Sequence, residues 1–272
     1  MIPVSIYKPL AFIKKDFIES ASYKFAFITQ FIGIVFTIIL FYFLSKLLGA
    51  AATPYLAPYG GNYFSFVLIG IAFSNYLGIS LSSFSAIISG AQVSGTLEAL
   101  LVTQTEVPAI IIYSSLYSFI ITSVRVILYI LLGSLFFGMQ IGNANYFGAL
   151  LILILTIVAF SSIGIISASF IMILKKGDPF TWIFGSVSWF LGGVYYPISV
   201  LPDWLRNFSY LLPITYSLEG MRMALIQGHS LYQLAPNILA LLLFSFLMLP
   251  LSIVIFKYAV KKAKRDGSLT HY

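Results

Sequence analysis

Few residues in this 272-residue sequence are equipped for chemistry, and the most ordered group of them lies between Leu212 and Gly228. Glu219 and Arg222 stand three apart there, so on a helix they share a face and can pair. Pro213 suits a first helical position, where its missing N–H has no helical partner to lose. Gly228 stands where such a helix would stop. A second group runs from Ser89 to Val107. Within it Thr96 can cap a short helix whose apolar side is Leu97, Leu100 and Leu101, and Glu98 near its start suits the helix dipole. The plainer alternative is an inter-span loop with one helical turn. The third feature is Arg125, set well inside an apolar run. A charge at depth is costly and faces protein or water rather than lipid. Arg125 therefore pairs with a carboxylate, snorkels, or lines a pathway.

Several chemistries are missing. The chain has no Gly-x-x-x-x-Gly-Lys-Ser/Thr phosphate loop and no His-Glu-x-x-His pair. Its two histidines, His229 and His271, lie far apart and outside the apolar runs, and it has no cysteine. No metal site, bound cofactor or catalytic set is expected, so the chain reads as a non-enzyme. An ion-coupled carrier usually needs buried carboxylates or broken helices near the midplane. Here no Asp or Glu falls in the middle of a clear span. Energy would then come from an ATP-hydrolysing partner acting on a short rigid element. The Thr96–Leu101 helix and the amphipathic N-terminus are the candidates.

The composition says what positions these residues. The chain is 60% hydrophobic and 8% charged, against about 25% charged in a soluble domain. So few charges cannot cover a water-facing surface, and the expected class is an all-α integral membrane protein. The net charge of +7 is no sign of nucleic acid, because most of it flanks the apolar runs. Residues 1–24 carry Ile6, Leu10, Ile13 and Phe17 at helical spacing among lysines, as an interfacial helix does, or as a charged lead-in to a first span would. The next apolar run, 25–48, exceeds the usual length of a signal-peptide core, so no cleavage at Ala50–Ala52 is expected. Further spans are read at 63–88, 108–137, 146–174, 180–194 and 237–258, six in all. Thus one domain covers 1–272. It holds five spans within 25–197, a non-spanning region at 198–236, the last span, and a basic tail at 259–272. Lys8, Lys14, Lys15, Lys24, Lys175, Lys176 and the tail fall on one side, which the positive-inside rule makes cytoplasmic. Both termini are then inside, and the chain is multi-pass in the cell (inner or plasma) membrane.

In this arrangement the chain resembles the ABC-2 type permeases, the membrane-spanning subunits of ABC exporters. Three features carry the resemblance. They are the six-span plan with its amphipathic N-terminus, Gly95-Thr96-Leu97-Glu98 between spans two and three, and the stretch from Pro213 through Tyr216, Glu219 and Arg222 to Gly228 before the last span. Gln92-Val93 replaces a charged pair that relatives often carry before the first motif, and Gln104 stands where a Pro often follows it. The resemblance implies ATPase coupling through Gly95, Thr96, Leu97, Glu98, Leu100 and Leu101. It implies ABC ATPase subunits at the cytoplasmic face, holding the ATP and Mg that this chain does not. It implies a second permease copy, a homodimer or a close relative, around a central pathway within membrane lipid. Residues 198–232 would form short external re-entrant helices, with Tyr195, Tyr196, Trp204 and Phe208 at an outer gate; an interfacial aromatic belt is the alternative. The cargo expected is amphipathic, drug-like or lipid-like, and moves outward. A lipid-linked glycan or polysaccharide is the alternative, and a self-contained secondary carrier or channel ranks lower.

Overall fold

The computed structural model describes residues 4–93, 107–139, 141, 144–174 and 179–265. They form the helices α1 (Val4–Ser22), α2 (Lys24–Leu56), α3 (Tyr63–Val93), α4 (Val107–Phe137), α5 (Tyr146–Leu174), α6 (Pro179–Leu191), α7 (Asp203–Ser209), α8 (Pro213–Leu225) and α9 (Leu231–Arg265), with short 3-10 turns at Ala57–Tyr59 and Ile198–Val200. No strand occurs among the described residues. The fold is all-α, as the composition requires.

The N-terminal helix ends at Tyr23, whose backbone leaves the helical region (φ −99°, ψ 61°). This elbow separates amphipathic α1 from apolar α2. Phe12 of α1 lies 6.0 Å from Tyr113 of α4, ring to ring, so α1 rests against the start of α4. The Pro and Gly residues of 53–62 read as a loop between the first two spans, and the loop begins later than they suggest. Pro54 is carried inside α2, and the chain turns only at Gly60 and Gly61, where φ is 81° and 74°. Asn62 then accepts from Ser65 N–H at 3.1 Å, an N-cap for α3. The last span starts at Leu231 instead of Asn237. Gln233 Oε1 accepts from the Ser230 N–H at 2.9 Å, the reach-back contact of a capping box.

Among the described residues, five helices are long and apolar enough to cross a membrane: segments Lys24–Tyr59, Tyr63–Gly90, Ser115–Phe137, Tyr146–Ile173 and Leu231–Ala263. The expected fifth span is the exception. It is α6, whose 13 residues reach about 20 Å at 1.5 Å each, short of a hydrocarbon core of about 30 Å. Gly192-Gly193 stops it, with Gly193 at φ 78°, and Pro197 keeps the chain from resuming a helix.

The axis of the bundle is α3, with 83% of its apolar window buried, against 11% for α2 and 17% for the last helix. Small residues allow this. A Cβ on Gly164 of α5 would collide with the Ser80 carbonyl of α3, so the two backbones approach closely, as membrane helices do when small residues face each other. Ser167 of α5 is buried at this seam, its hydroxyl 3.5 Å from that of Ser85 on α3. The Ser167 and Thr181 hydroxyls meet at 2.8 Å and hold the start of α6 to the seam. Two apolar clusters fill the bundle. The larger joins α3, α5 and α8; the smaller gathers Phe84, Ile88, Met172 and Phe256 towards the ends of α3, α5 and α9. We call the end where α2 meets α3 the α8 end, and the opposite one the α1 end.

Candidate functional site

The stretch Leu212–Gly228 folds as α8, with Pro213 as its first residue. Ten of its thirteen residues are buried, so it is not a helix lying on a surface. It is wrapped by α3, α5 and α9. Both of its ends are tied by hydrogen bonds. The Thr215 hydroxyl donates to the Ser209 carbonyl at 2.7 Å and closes α7. The Tyr216 hydroxyl donates to the Tyr210 carbonyl at 3.0 Å. At the other end Gly228 adopts φ 65°, and the His229 N–H reaches back to the Met223 carbonyl at 3.1 Å.

Arg222 is the centre of this helix. It is 3% exposed. Its Nε donates to the Phe66 carbonyl at 3.1 Å and one terminal nitrogen donates to the Val194 carbonyl at 3.1 Å. The guanidinium carbon lies 3.5 Å from the Phe66 ring centroid, a cation–π contact. The expected Glu219–Arg222 ion pair does not form. Among the described residues the ion pairs are Lys15–Asp16 and Asp203–Arg206. The reason is geometric: α8 turns Arg222 into the α3 seam while Glu219 stays half-buried at the rim. Burial pushes the Arg222 guanidinium down to about 9, with Tyr59 and Glu219 acting in its favour, so it remains charged at neutral pH. Burial likewise raises the Glu219 carboxyl above the ordinary carboxylate value, which Arg222 only partly offsets.

Val194 is the first of the partners that sequence reasoning missed. Its carbonyl comes within reach because α6 stops at Leu191 and the chain bends back over Gly70. A Cβ on Gly70 would run into both the Val194 carbonyl and the Arg222 guanidinium. Nothing in the sequence around Gly70 marks it. Asn145 is the second, and it did carry a signal, an Asn just before an apolar helical run. Its Oδ1 accepts from Gly148 N–H at 2.9 Å, its amide donates to the His229 carbonyl at 2.8 Å, and its N–H donates to the Ala224 carbonyl at 2.9 Å. Deeper along α5, the hydroxyls of Thr156 and Ser217 meet at 2.7 Å. Thus α8 is pinned to α5 at two depths and to α3 through Arg222.

The four aromatics expected at a gate separate into two pairs. The Tyr195 ring stacks on Phe41 of α2 at 5.8 Å (12° between planes) and lies 5.8 Å from Trp189. Its neighbour's hydroxyl, on Tyr196, donates to the Phe190 carbonyl. Trp204 and Phe208 instead lie one turn apart on α7, exposed at 64% and 56%. Tyr195 and Tyr196 therefore fasten α6 to its surroundings, while Trp204 and Phe208 face outward.

Arg125 sits half-buried on α4. Its partner is an amide, since a terminal nitrogen donates to Gln30 Oε1 of α2 at 2.9 Å. The carboxylate first considered for it does not appear among the described residues. Gln30 was visible as a polar break in the first apolar run, but nothing paired it with a residue 95 positions away. The residues expected to couple to an ATPase, Gly95, Thr96, Leu97, Glu98, Leu100 and Leu101, lie outside the described residues, and no group of metal-binding side chains occurs among those described.

The helices and their apolar faces define the class first: a multi-pass helical membrane protein. The chain belongs to the ABC-2 type transporter family, whose model matches residues 10–226. The matched stretch ends just after α8. No curated protein matches the chain. It is accordingly a transport permease component, and membership implies association with an ABC ATPase partner.

Proposed function

We propose that the chain is the permease half of an ATP-driven exporter, and that it moves an amphipathic, drug-like or lipid-like cargo out of the cytoplasm or inner leaflet. The observation that carries this reading is an ABC-2 chain whose five long crossing helices contain no carboxylate among the described residues. An ion gradient has nothing to act on there, and a multiply charged cargo would meet no counter-charge. In this reading ATP and Mg are held by separate ATPase subunits that act on the Gly95–Thr103 stretch. Two permease copies enclose the pathway in the cell membrane, with both termini cytoplasmic.

The short α6 suits a sixth, incomplete crossing. Its end at Gly192 packs against Ile214, so the turn before α8 lies below the α8 end of the bundle. The Thr156–Ser217 contact is about 17 Å along α5 from Asn145. The segment 198–225 then re-enters the outer leaflet as a hairpin and completes the thickness that α6 does not span. Such irregular backbone is tolerated at depth where protein covers it, as α3, α5 and α9 do here.

One observation favours the lipid-linked glycan. Trp204 and Phe208 stand exposed on one face of α7, where a sugar ring could stack. ATPase stimulation in reconstituted complexes separates the cargoes. Amphipathic drugs or lipids are expected to stimulate it, and stimulation by a lipid-linked glycan alone would replace this reading. Leu100→Asp is expected to abolish coupled ATPase activity while membrane insertion stays normal; persistent transport would move the coupling element elsewhere. Transport down an ion gradient by the isolated chain would overturn the exporter reading itself.

A further inference from the structure

The elbow at the α1 end holds a groove that the transport reading does not use. It has a volume of about 280 Å³ and runs between α1, the start of α2, and α4. Its polar lining is Ser20, Tyr23, Gln30, Tyr117, Ser118 and Arg125. No carboxylate is among the described side chains that line it. Arg125 spends one terminal nitrogen on Gln30, and its Nε is buried without a hydrogen-bond partner among the described residues. A guanidinium has five donors in a planar fork. This one is anchored by a neutral amide, keeps its full positive charge, and has donors left over.

The position of the groove indicates what would use them. Gln30 lies about 9 Å along α2 from the elbow. The polar headgroup zone of a bilayer is about 5–8 Å deep on each side, so a group at this depth sits where headgroup meets hydrocarbon. Exposed Lys24 adjoins the elbow and exposed Lys14 lies further along α1, where Lys15 pairs with Asp16, while exposed Lys261, Lys262 and Arg265 end α9 on the same side. Phe27 and Ile28 beside the groove are exposed and apolar, a bed for an acyl chain. A basic site with hydroxyl donors above and an apolar wall below matches a phospholipid.

We propose that this groove binds the phosphate of a membrane phospholipid from the leaflet at the α1 end, with the Arg125 guanidinium as its principal donor and the Ser20, Tyr23, Tyr117 and Ser118 hydroxyls around it. Arginine suits the task because its fork meets phosphate oxygens bidentately. The site does not depend on which cargo the protein moves. A lipid held here braces α1 against α2 and α4 at the bend where the interfacial helix joins the bundle.

The test is lipid retention by the full chain in detergent, read by native mass spectrometry. Phosphatidylglycerol is titrated against a phosphate-free diacylglycerol galactoside. Phosphatidylglycerol should bind at least about tenfold more tightly, and Arg125→Gln should remove that preference, as expected for charge-assisted hydrogen bonds. Arg125→Lys should keep part of it. Ser118→Phe, which fills the groove and leaves the arginine in place, should weaken retention by a similar factor, so the result does not hang on one variant's folding. Unchanged phosphatidylglycerol binding in both Arg125→Gln and Ser118→Phe would overturn the proposal and leave Arg125 as a snorkelling side chain. Inorganic phosphate is the last arm: it should not displace the lipid, and displacement at equal concentration would assign the groove to a soluble anion instead.

Discussion

Two arginines lie among apolar helices in this protein, and their surroundings differ. Arg222 is enclosed. It donates to two backbone carbonyls from two other segments and lies against an aromatic ring. Arg125 is half-open, held by one amide, with an unpartnered nitrogen beside a groove. A guanidinium whose donors are met by backbone locks helices together, whereas one with donors to spare can hold a ligand. Both arginines stand in apolar sequence, and only the neighbours distinguish lock from site.

The largest expected effect falls on the lock. Arg222→Met strands the Val194 carbonyl, removes the second donor to the Phe66 carbonyl and removes the cation–π contact, so thermal unfolding in detergent should show a loss of about 3 kcal/mol or more. A loss within about 0.5 kcal/mol, typical of substitutions away from any such feature, would mean that the carbonyl contacts do not hold α8. Gly70→Val should come next, at about 2 kcal/mol, because its Cβ forces apart the Val194 carbonyl and the guanidinium. Since both changes break one contact set, the double variant should lose less than the sum of the two. Strict additivity would separate Gly70 from the Arg222 cage.

Arg125→Gln should sharpen the contrast from the other side. It should cost under about 1 kcal/mol in the same unfolding assay, as for a half-exposed charge, and show itself in lipid retention. A loss as large as that of Arg222→Met would make the two arginines equivalent. The smallest effect concerns Glu219. Burial holds its carboxyl above the ordinary 4.5 in the folded protein, so the folded state keeps a proton that the unfolded chain has released. Stability from this group is therefore full at acid pH and falls as pH rises from about 4.5 through the folded value. Glu219→Gln should remove that fall and leave the variant slightly more stable at neutral pH. A variant with the same pH slope would place the titration on another group.

Much of the architecture was legible in the sequence. Apolar run length gave the five long helices, the lysine-rich amphipathic segment gave α1, and Pro213 and Gly228 bracketed α8. Helix boundaries were less legible. Pro54 reads as a loop former, but a membrane helix tolerates it, and the run 180–194 reads as a span although Gly192-Gly193 ends the helix early. The pairing of charges was not legible at all. Spacing put Glu219 beside Arg222, and it is a good rule for an isolated helix. It fails when a helix is wrapped on nearly all sides, because carbonyl oxygens from α3 and the α6 terminus compete for the same donors.

The sequence alone thus determined that the chain lives in a membrane, is helical, and resembles the ABC-2 permeases. Those properties follow from composition, period and short motifs, which are local along the chain. Tertiary structure alone decided which arginine is enclosed by carbonyls and which keeps an unpartnered nitrogen. It brought Phe66 and Val194 to Arg222 across 156 and 28 positions of sequence, and Gln30 to Arg125 across 95. Hydrogen-bond partners at such separations are set by how helices cross, and that depends on close approaches such as Gly70 and Gly164, which leave no periodic trace in the sequence.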